Sequence, residues 1–277
     1  MDILLTGCSG FIGSHIRHRL ENLGHNITCA DRHHGVDFKR MTRPEDWLSL
    51  TRNQDAVINS VGIIVETGGN RFEILHHQAP AALFRAAGDC GVSRVIQISA
   101  LGADENAFTP YQRTKKAADD VLRGLDLPGF ILRPSLVIGR GSASLALFQR
   151  LAGLPLLMLA DGGRQRIQPI HIDDLLDTVD KALSVECQGC RSLDLAGPQA
   201  MSFAQWLTIL RQHQGKGPPR ILPLPYSLVL GLSHLGRFIL PLMHPDNLRM
   251  MQQGNTADTA PLEAFLGHPL RPAEDAL

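Results

Sequence analysis

The 277-residue sequence has no net charge, because 27 Lys and Arg offset 27 Asp and Glu. A basic nucleic-acid binder is not expected from such a balance. Cysteine is sparse and odd in number, five in the whole chain, which excludes a disulfide scaffold and points to a reducing compartment. The first residues, Met1-Asp2-Ile3-Leu4-Leu5, place an acid where a signal peptide needs positive charge, and the apolar run there is short. A cytoplasmic location is therefore expected. No internal repeat or low-complexity tract occurs. What is present is enough apolar sequence, 44% of the residues, to build one large domain or a domain with an appendage.

Through the first half, apolar runs of strand length alternate with segments of helical period. That is the pattern of a doubly wound α/β fold, a parallel sheet with crossover helices. Strands are predicted at 3–5, 27–30, 55–61, 95–99 and 130–132, and helices at 12–23, after Pro44, at 80–88 and at 110–125. Right-handed crossovers bring the turns after the strands to one edge of the sheet. After Arg133-Pro134 the pattern loosens, leaving short strand-like runs at 166–172 and 192–196. The division expected is a Rossmann domain over 1–165 and a smaller C-terminal lobe over 166–277, interleaved with the sheet.

The turn after the first strand reads Gly7-Cys8-Ser9-Gly10-Phe11-Ile12-Gly13, with glycine at every third position. A strand precedes it, and an amphipathic helix through Ile12, Ile16, Leu20 and Leu23 follows. Tight turning, close backbone approach and a helix N-terminus together suit a pyrophosphate. Asp31 ends the second strand 18 residues after Gly13, where a carboxylate accepts hydrogen bonds from an adenosine ribose and favours NAD. Arg32 beside it suits the 2′-phosphate of NADP, so both cofactors stay open. Val61 and Gly62, at the end of the third strand, join Ser9, Phe11 and Ile12 as candidate cofactor contacts.

One of the two tyrosines, Tyr111, lies four residues before Lys115. Thr109 and Pro110 supply an N-cap and a first-turn proline, so both side chains share a helix face. A phenol is a poor base near neutrality, and a neighbouring ammonium lowers its pKa by favouring the phenolate. Such a tyrosine exchanges a proton with a substrate oxygen.

The combination of Gly7-x-x-Gly10-x-x-Gly13, Ser99, Tyr111-x-x-x-Lys115 and Arg133-Pro134-Ser135 resembles the extended or atypical short-chain dehydrogenase/reductases. The resemblance implies Tyr111 as general acid/base, Lys115 as ribose ligand and tuner, and Ser99 as orienter of the substrate oxygen. It also places Pro134 beside the nicotinamide and Asp37 at the adenine, and counts Ser99 and Tyr111 with Lys115 among the cofactor contacts. Phe72-x-x-x-x-His77-x-Ala79, Ile98-Ser99-Ala100-Leu101-Gly102-Ala103, Gln168-Pro169-Ile170-His171-Ile172-Asp173-Asp174 and Leu222-Pro223-Leu224-Pro225 are similar to bacterial relatives of the NAD(P)-binding accessory subunit of respiratory complex I. In that branch nucleotide binding serves structure or assembly. Ser99 precedes Tyr111 by 12 residues, a short loop that leaves open whether Ser99 orients substrate or caps the strand end. The implied functions are hydride transfer at an alcohol or carbonyl carbon of an unidentified small molecule, a non-catalytic accessory role in a membrane complex, or sugar-nucleotide epimerisation or dehydration.

Other features read as structural. Cys187-x-x-Cys190 lacks a second ligand pair for zinc, and the pairs His33-His34 and His76-His77 diverge in direction, so no metal site is expected. Asp173 is read as a helix N-cap, with Asp174 favoured by the helix dipole. The apolar segment 221–243 holds 15 residues between Pro225 and Pro241, about 22 Å of helix against roughly 30 Å of bilayer core. Its stripe of Leu228, Leu232, Leu235 and Ile239 suits the main domain first, and otherwise a partner protein or membrane surface. Residues 201–253 carry Arg211, Lys216, Arg220, Arg237 and Arg249 against Asp246 alone, so overall neutrality conceals a basic, leucine-rich region.

Overall fold

Five strands, β1 (Asp2–Thr6), β2 (Asn26–Ala30), β3 (Ala56–Asn59), β4 (Arg94–Ile98) and β5 (Gly129–Pro134), are joined in parallel pairs β1·β2, β1·β3, β3·β4 and β4·β5. With a sixth strand at Cys190–Leu195 the sheet order is Cys190–Leu195, β5, β4, β3, β1, β2. This computed structural model describes residues 1–236 and 244–277. The predicted stripe is described as far as Leu232, and Arg237 and Ile239 lie outside the described residues. The chain forms two units, Met1–Pro134 with Leu175–Asp194, and Ser135–Asp174 with Leu195–Leu277. It changes unit after Pro134, Asp174 and Asp194.

In the first unit the strands are apolar runs because both sheet faces are covered: Ile3, Leu4, Leu5, Val57, Ile58, Ile96, Phe130 and Ile131 are wholly buried. Helices α1 (Phe11–Asn22), α2 (Leu48–Thr51), α3 (Ala79–Asp89) and α4 (Pro110–Gly124) connect them. Helix α1 ends before Gly24, whose φ of +83° is left-handed. At α4, Thr109 and Gln112 form a reciprocal capping box, and Pro110 occupies the first turn. The chain enters α3 through a wide π turn at Glu73–Gln78. Pro80 lacks the N–H that would close an ordinary turn on the His76 carbonyl. One face of the sheet packs Leu4, Val57, Val95 and Ile131 against Leu83, Phe84 and Leu122, with Phe38 and Trp47 extending that core.

The second unit is built from short pairings. Strand β6 (Val137–Ile138) pairs in parallel with β9 (Ile170–His171). Strand β7 (Leu156–Ala160) pairs in parallel with β12 (Arg220–Leu224), and β8 (Arg166–Ile167) is antiparallel to β11 (Met201–Ser202). In this numbering β10 is the Cys190–Leu195 strand. Helices α5 (Ala143–Ala152) and α7 (Phe203–His213) enclose Phe148, Phe203 and the fully buried Trp206. Helix α6 (Ile172–Ser184) begins two residues earlier than the expected Asp173 cap allows, and the Asp173 N–H donates to His171 Nδ1 at 3.0 Å. Asp174 is fully buried and accepts from the Arg271 main-chain N–H at 2.9 Å and its guanidinium at 2.5 Å. It forms an internal ion pair from the first turn of α6. Helices α8 (Tyr226–Gly236), α9 (Pro245–Gln253) and α10 (Ala260–Leu266) complete the unit.

Phe84 is fully enclosed in the first unit's core. Phe84→Ala is expected to lower the free energy of unfolding by about 3–5 kcal/mol, measured as a reduced urea midpoint with an unchanged slope.

Candidate functional site

The turn after β1 closes because its glycines lack side chains. A Cβ on Gly13 would lie 2.1 Å from the Gly7 carbonyl oxygen, one on Gly7 2.8 Å from Ser60 Oγ, and one on Gly10 3.2 Å from the Gly7 oxygen. Gly7 itself has a φ of +76°, a conformation glycine adopts without cost. Helix α1 therefore starts hard against the end of β1. Its N-cap, Gly10, makes no side-chain cap bond, so the first-turn N–H groups of Phe11, Ile12 and Gly13 are left for a ligand. Cys8 is buried under the turn, and its thiol donates to the Leu5 carbonyl at 2.8 Å. This cradle fits a dinucleotide pyrophosphate.

Asp31 stands at the end of β2. Its carboxylate accepts from the N–H groups of Ser9 (3.1 Å), His33 (2.9 Å) and His34 (3.1 Å) and contacts His34 Nδ1 at 2.7 Å. Burial alone would raise its pKa, but the bonds from His34 and Ser9 outweigh it and bring the value down to about 2. A fixed negative charge thus borders the glycine turn. Arg32 is exposed beside it. Asp37 caps the next turn by accepting from the Lys39 N–H at 3.2 Å.

At the ends of β3 and β4 the site is organised by Lys115. Its buried ammonium donates to the carbonyls of Val61 and Ile98, both at 3.0 Å. A Cβ on Gly62 would approach Nζ to 3.3 Å. Burial lowers Lys115 to about 8 against the opposing attraction of Asp119, one helical turn further along α4. Asp119 is fully buried and accepts from the Ser99 hydroxyl at 2.5 Å. Burial raises its carboxyl, while Ser99 and Lys115 pull the other way. The Ser99 hydrogen is thereby committed to Asp119, and only its oxygen lone pairs remain for another group.

Tyr111 occupies the first turn of α4, edge-on to His76 at 5.3 Å and to Phe72 at 5.9 Å between ring centroids. Burial pushes its phenol up to about 12, opposite to the lowering expected from a neighbouring ammonium. Desolvation dominates because the Lys115 charge faces main-chain carbonyls and Asp119. Among the described residues no direct hydrogen bond joins Tyr111 to Lys115 or Ser99. His76 is fully buried and stacked on Phe72, accepts from the Ile63 N–H at 3.0 Å and lies 3.3 Å from Thr114 Oγ1. Burial, then the Lys115 charge, hold it well below the ordinary histidine range and therefore neutral. Pro134 is buried at the end of β5, its carbonyl accepting from the Leu101 N–H at 2.9 Å.

The sequence pattern marked His76 only as one of a diverging histidine pair and did not mark Asp119. The second was open to detection, since Tyr111, Lys115 and Asp119 fall at successive four-residue steps on one helix. A polar ladder was also missed: Thr6 Oγ1 donates to Asn59 Oδ1 at 2.6 Å, and Asn59 Nδ2 donates to Gln97 Oε1 at 2.7 Å.

The parallel sheet, the glycine cradle and the Tyr111–Lys115 pair at the carboxyl ends of the strands define a Rossmann-type dinucleotide-binding protein. The chain belongs to the NAD dependent epimerase/dehydratase family, whose model matches residues 3–189. It is 25% identical over 82% of its length to the mitochondrial NADH dehydrogenase [ubiquinone] 1 alpha subcomplex subunit 9 of Arabidopsis thaliana, and spans 61% of that protein. It is 29% identical over 80% of its length to the ceramide reductase of Caulobacter vibrioides, spanning 73% of that protein. The UDP-glucuronic acid 4-epimerase of Bacillus cereus, solved with NAD, shares the fold with a TM-score of 0.72 at 18% identity, over 100% of this chain and 96% of the other.

Because the folded-state pKa of Asp31 is depressed from 3.8 to about 2, its stabilisation is full above the unfolded value and fades as pH falls towards 2. Asp31→Asn is expected to cost about 2 kcal/mol at pH near 6 and progressively less in acid. Urea denaturation at stepped pH measures the convergence.

Proposed function

We propose that this protein is an NAD(P)-dependent oxidoreductase acting at an alcohol or carbonyl carbon. The reading is carried by one observation: Tyr111, its phenol kept protonated by burial, sits one helical turn from a buried ammonium that bridges the ends of β3 and β4. A dinucleotide bound at the glycine cradle supplies or accepts the hydride. In the reducing direction Tyr111 gives its proton to the carbonyl oxygen and recovers one from solvent. Lys115 has three N–H donors, of which two meet carbonyls, leaving the third for a ribose hydroxyl. Gly7, Ser9, Gly10, Phe11, Ile12 and Gly13 hold the pyrophosphate. Asp31 favours a free ribose hydroxyl over a 2′-phosphate by its negative charge, so NAD(H) is preferred. Ser99 acts through Asp119 as a positioning residue. The resemblance to a ceramide reductase supports the reductase direction, and the five free cysteines suit a reducing, cytoplasmic setting.

A second reading, a nucleotide-binding accessory protein of a membrane complex, is favoured by the relative named as an NADH dehydrogenase subunit. Epimerisation or dehydration of a sugar nucleotide rests on shared fold. Among the described residues no helix is long and apolar enough to cross a membrane.

Tyr111→Phe is expected to reduce NAD(P)H-dependent turnover of a carbonyl panel by about 10²–10⁴-fold and to leave the Kd for NAD(H) unchanged by calorimetry. If no carbonyl, alcohol or sugar nucleotide turns over, and the wild-type chain co-purifies with a respiratory complex, the accessory reading replaces this one.

The ammonium of Lys115 loses its proton at about 8, so kcat/KM for reduction is expected to fall as pH rises through that value. Removing the Asp119 charge leaves the ammonium less supported. Asp119→Asn should move the inflection to lower pH, read from the full pH profile.

A further inference from the structure

Outward positions of a half-buried strand are normally polar. Strand β7 breaks this rule: Leu157 and Leu159 point into the second unit's core, while Leu156 and Met158 point outward, Met158 with 63% of its surface exposed. Strand β12 continues the same surface, since Leu222 lies directly beside Met158 in the parallel register and is also exposed. Leu154, just before β7, adds a further exposed side chain. The chain then turns at Pro225 into α8, where Leu228 and Leu232 stand one helical turn apart, each about half exposed. A concentration of exposed apolar groups on this scale marks an interaction surface.

Cations flank the exposed leucines of the ribbon, and Asp161, which follows β7, accepts from the Tyr226 N–H at the start of α8 at 3.3 Å. Between Asp126 and Asp161, and again between Asp194 and Asp246, the chain has no acidic residue. Arg220 heads β12 and is exposed next to Leu156. Lys216 is exposed with Nζ 3.3 Å from the Gly153 carbonyl, at the foot of Leu154. The Arg211 guanidinium spans the carbonyls of Ala152 and Leu154 at 2.7 and 2.6 Å. A second copy of this surface would bring like charges together. Pro223 also removes one N–H from the short edge strand β12, which weakens strand addition by another chain. Apolar side chains rimmed by cations match the acyl boundary and headgroups of an anionic bilayer.

We infer that the β7–β12 ribbon and the first turns of α8 seat this protein on an anionic lipid bilayer surface. The contact is peripheral, with leucine and methionine side chains entering the interface and Lys216 and Arg220 meeting phosphates. It is independent of the hydride-transfer reading.

The test is flotation of the full chain with vesicles of phosphatidylcholine alone and of phosphatidylcholine mixed equally with phosphatidylglycerol. Binding is expected to be at least about tenfold stronger to the mixed vesicles and to weaken with added salt. The pairs Met158→Glu with Leu222→Glu, and Leu228→Glu with Leu232→Glu, should each weaken it by roughly tenfold or more, with circular dichroism and NAD(H) affinity retained. Lys216→Glu with Arg220→Glu should abolish the preference for anionic lipid while changing no apolar contact. Equal binding to both vesicles, or no binding, overturns the inference. So does a wild-type dimer in solution that the glutamate variants convert to monomer, because the surface would then be covered by a second copy.

Discussion

The ammonium of Lys115 is shared between two carbonyls that belong to neighbouring strand ends, Val61 after β3 and Ile98 in β4. A charge so deeply enclosed is tolerable only where hydrogen bonds and a counter-charge replace water. The carbonyls supply the first and Asp119 the second. Asp119 in turn takes the Ser99 hydroxyl, so a second contact, one helical turn further along, ties α4 to the end of β4. Helix α4 can take only the rotation and register that keep this cluster closed. That rotation decides where Tyr111 stands.

Around the cluster, smaller constraints act in the same direction. The π turn before α3 presents the neutral ring of His76 between the Ile63 N–H and Thr114, and stacks it on Phe72. Both rings then wall Tyr111, and the same enclosure raises its phenol. Beneath the strand ends, Thr6, Asn59 and Gln97 link β1, β3 and β4 by side-chain bonds. A sheet buried on both faces gains from such a ladder because its polar groups have no access to solvent. The glycine turn rests on this floor, with Ser60 donating to the Thr6 carbonyl at 2.6 Å below Gly7. The strand ends are thus tied together around the place where a dinucleotide would lie.

Features encoded within a few consecutive residues were legible from the sequence. The glycine spacing, the Ile16–Leu20 face of α1, the cap formed by Thr109 and Pro110, and the apolar runs of β1 to β5 all appear where local pattern put them, while Leu23 falls just past the helix and is exposed. The second unit was less legible. Strands β6, β8, β9 and β11 are two residues long, too short for any alternation to show, and they exist because a distant partner supplies the ladder. Asp173 was mistaken for a cap for a related reason: His171 takes its N–H, while Asp174 turns inward to Arg271, 97 residues away.

The fold class, the glycine cradle, and the placing of Tyr111 and Lys115 on one helix face are local properties of the chain, because each follows from short-range sterics and periodicity. What those groups experience arises from packing between elements distant in the chain. Whether an ammonium lowers a neighbouring phenol or serves main-chain carbonyls depends on burial and on partners brought from β3, β4 and the next turn of α4. The same holds at Ser99, whose hydroxyl could face substrate or protein until Asp119 claimed it. It holds equally for the leucines of β7 and α8, since strand and helix periods mark their faces but exposure arises only when the rest of the chain has packed elsewhere.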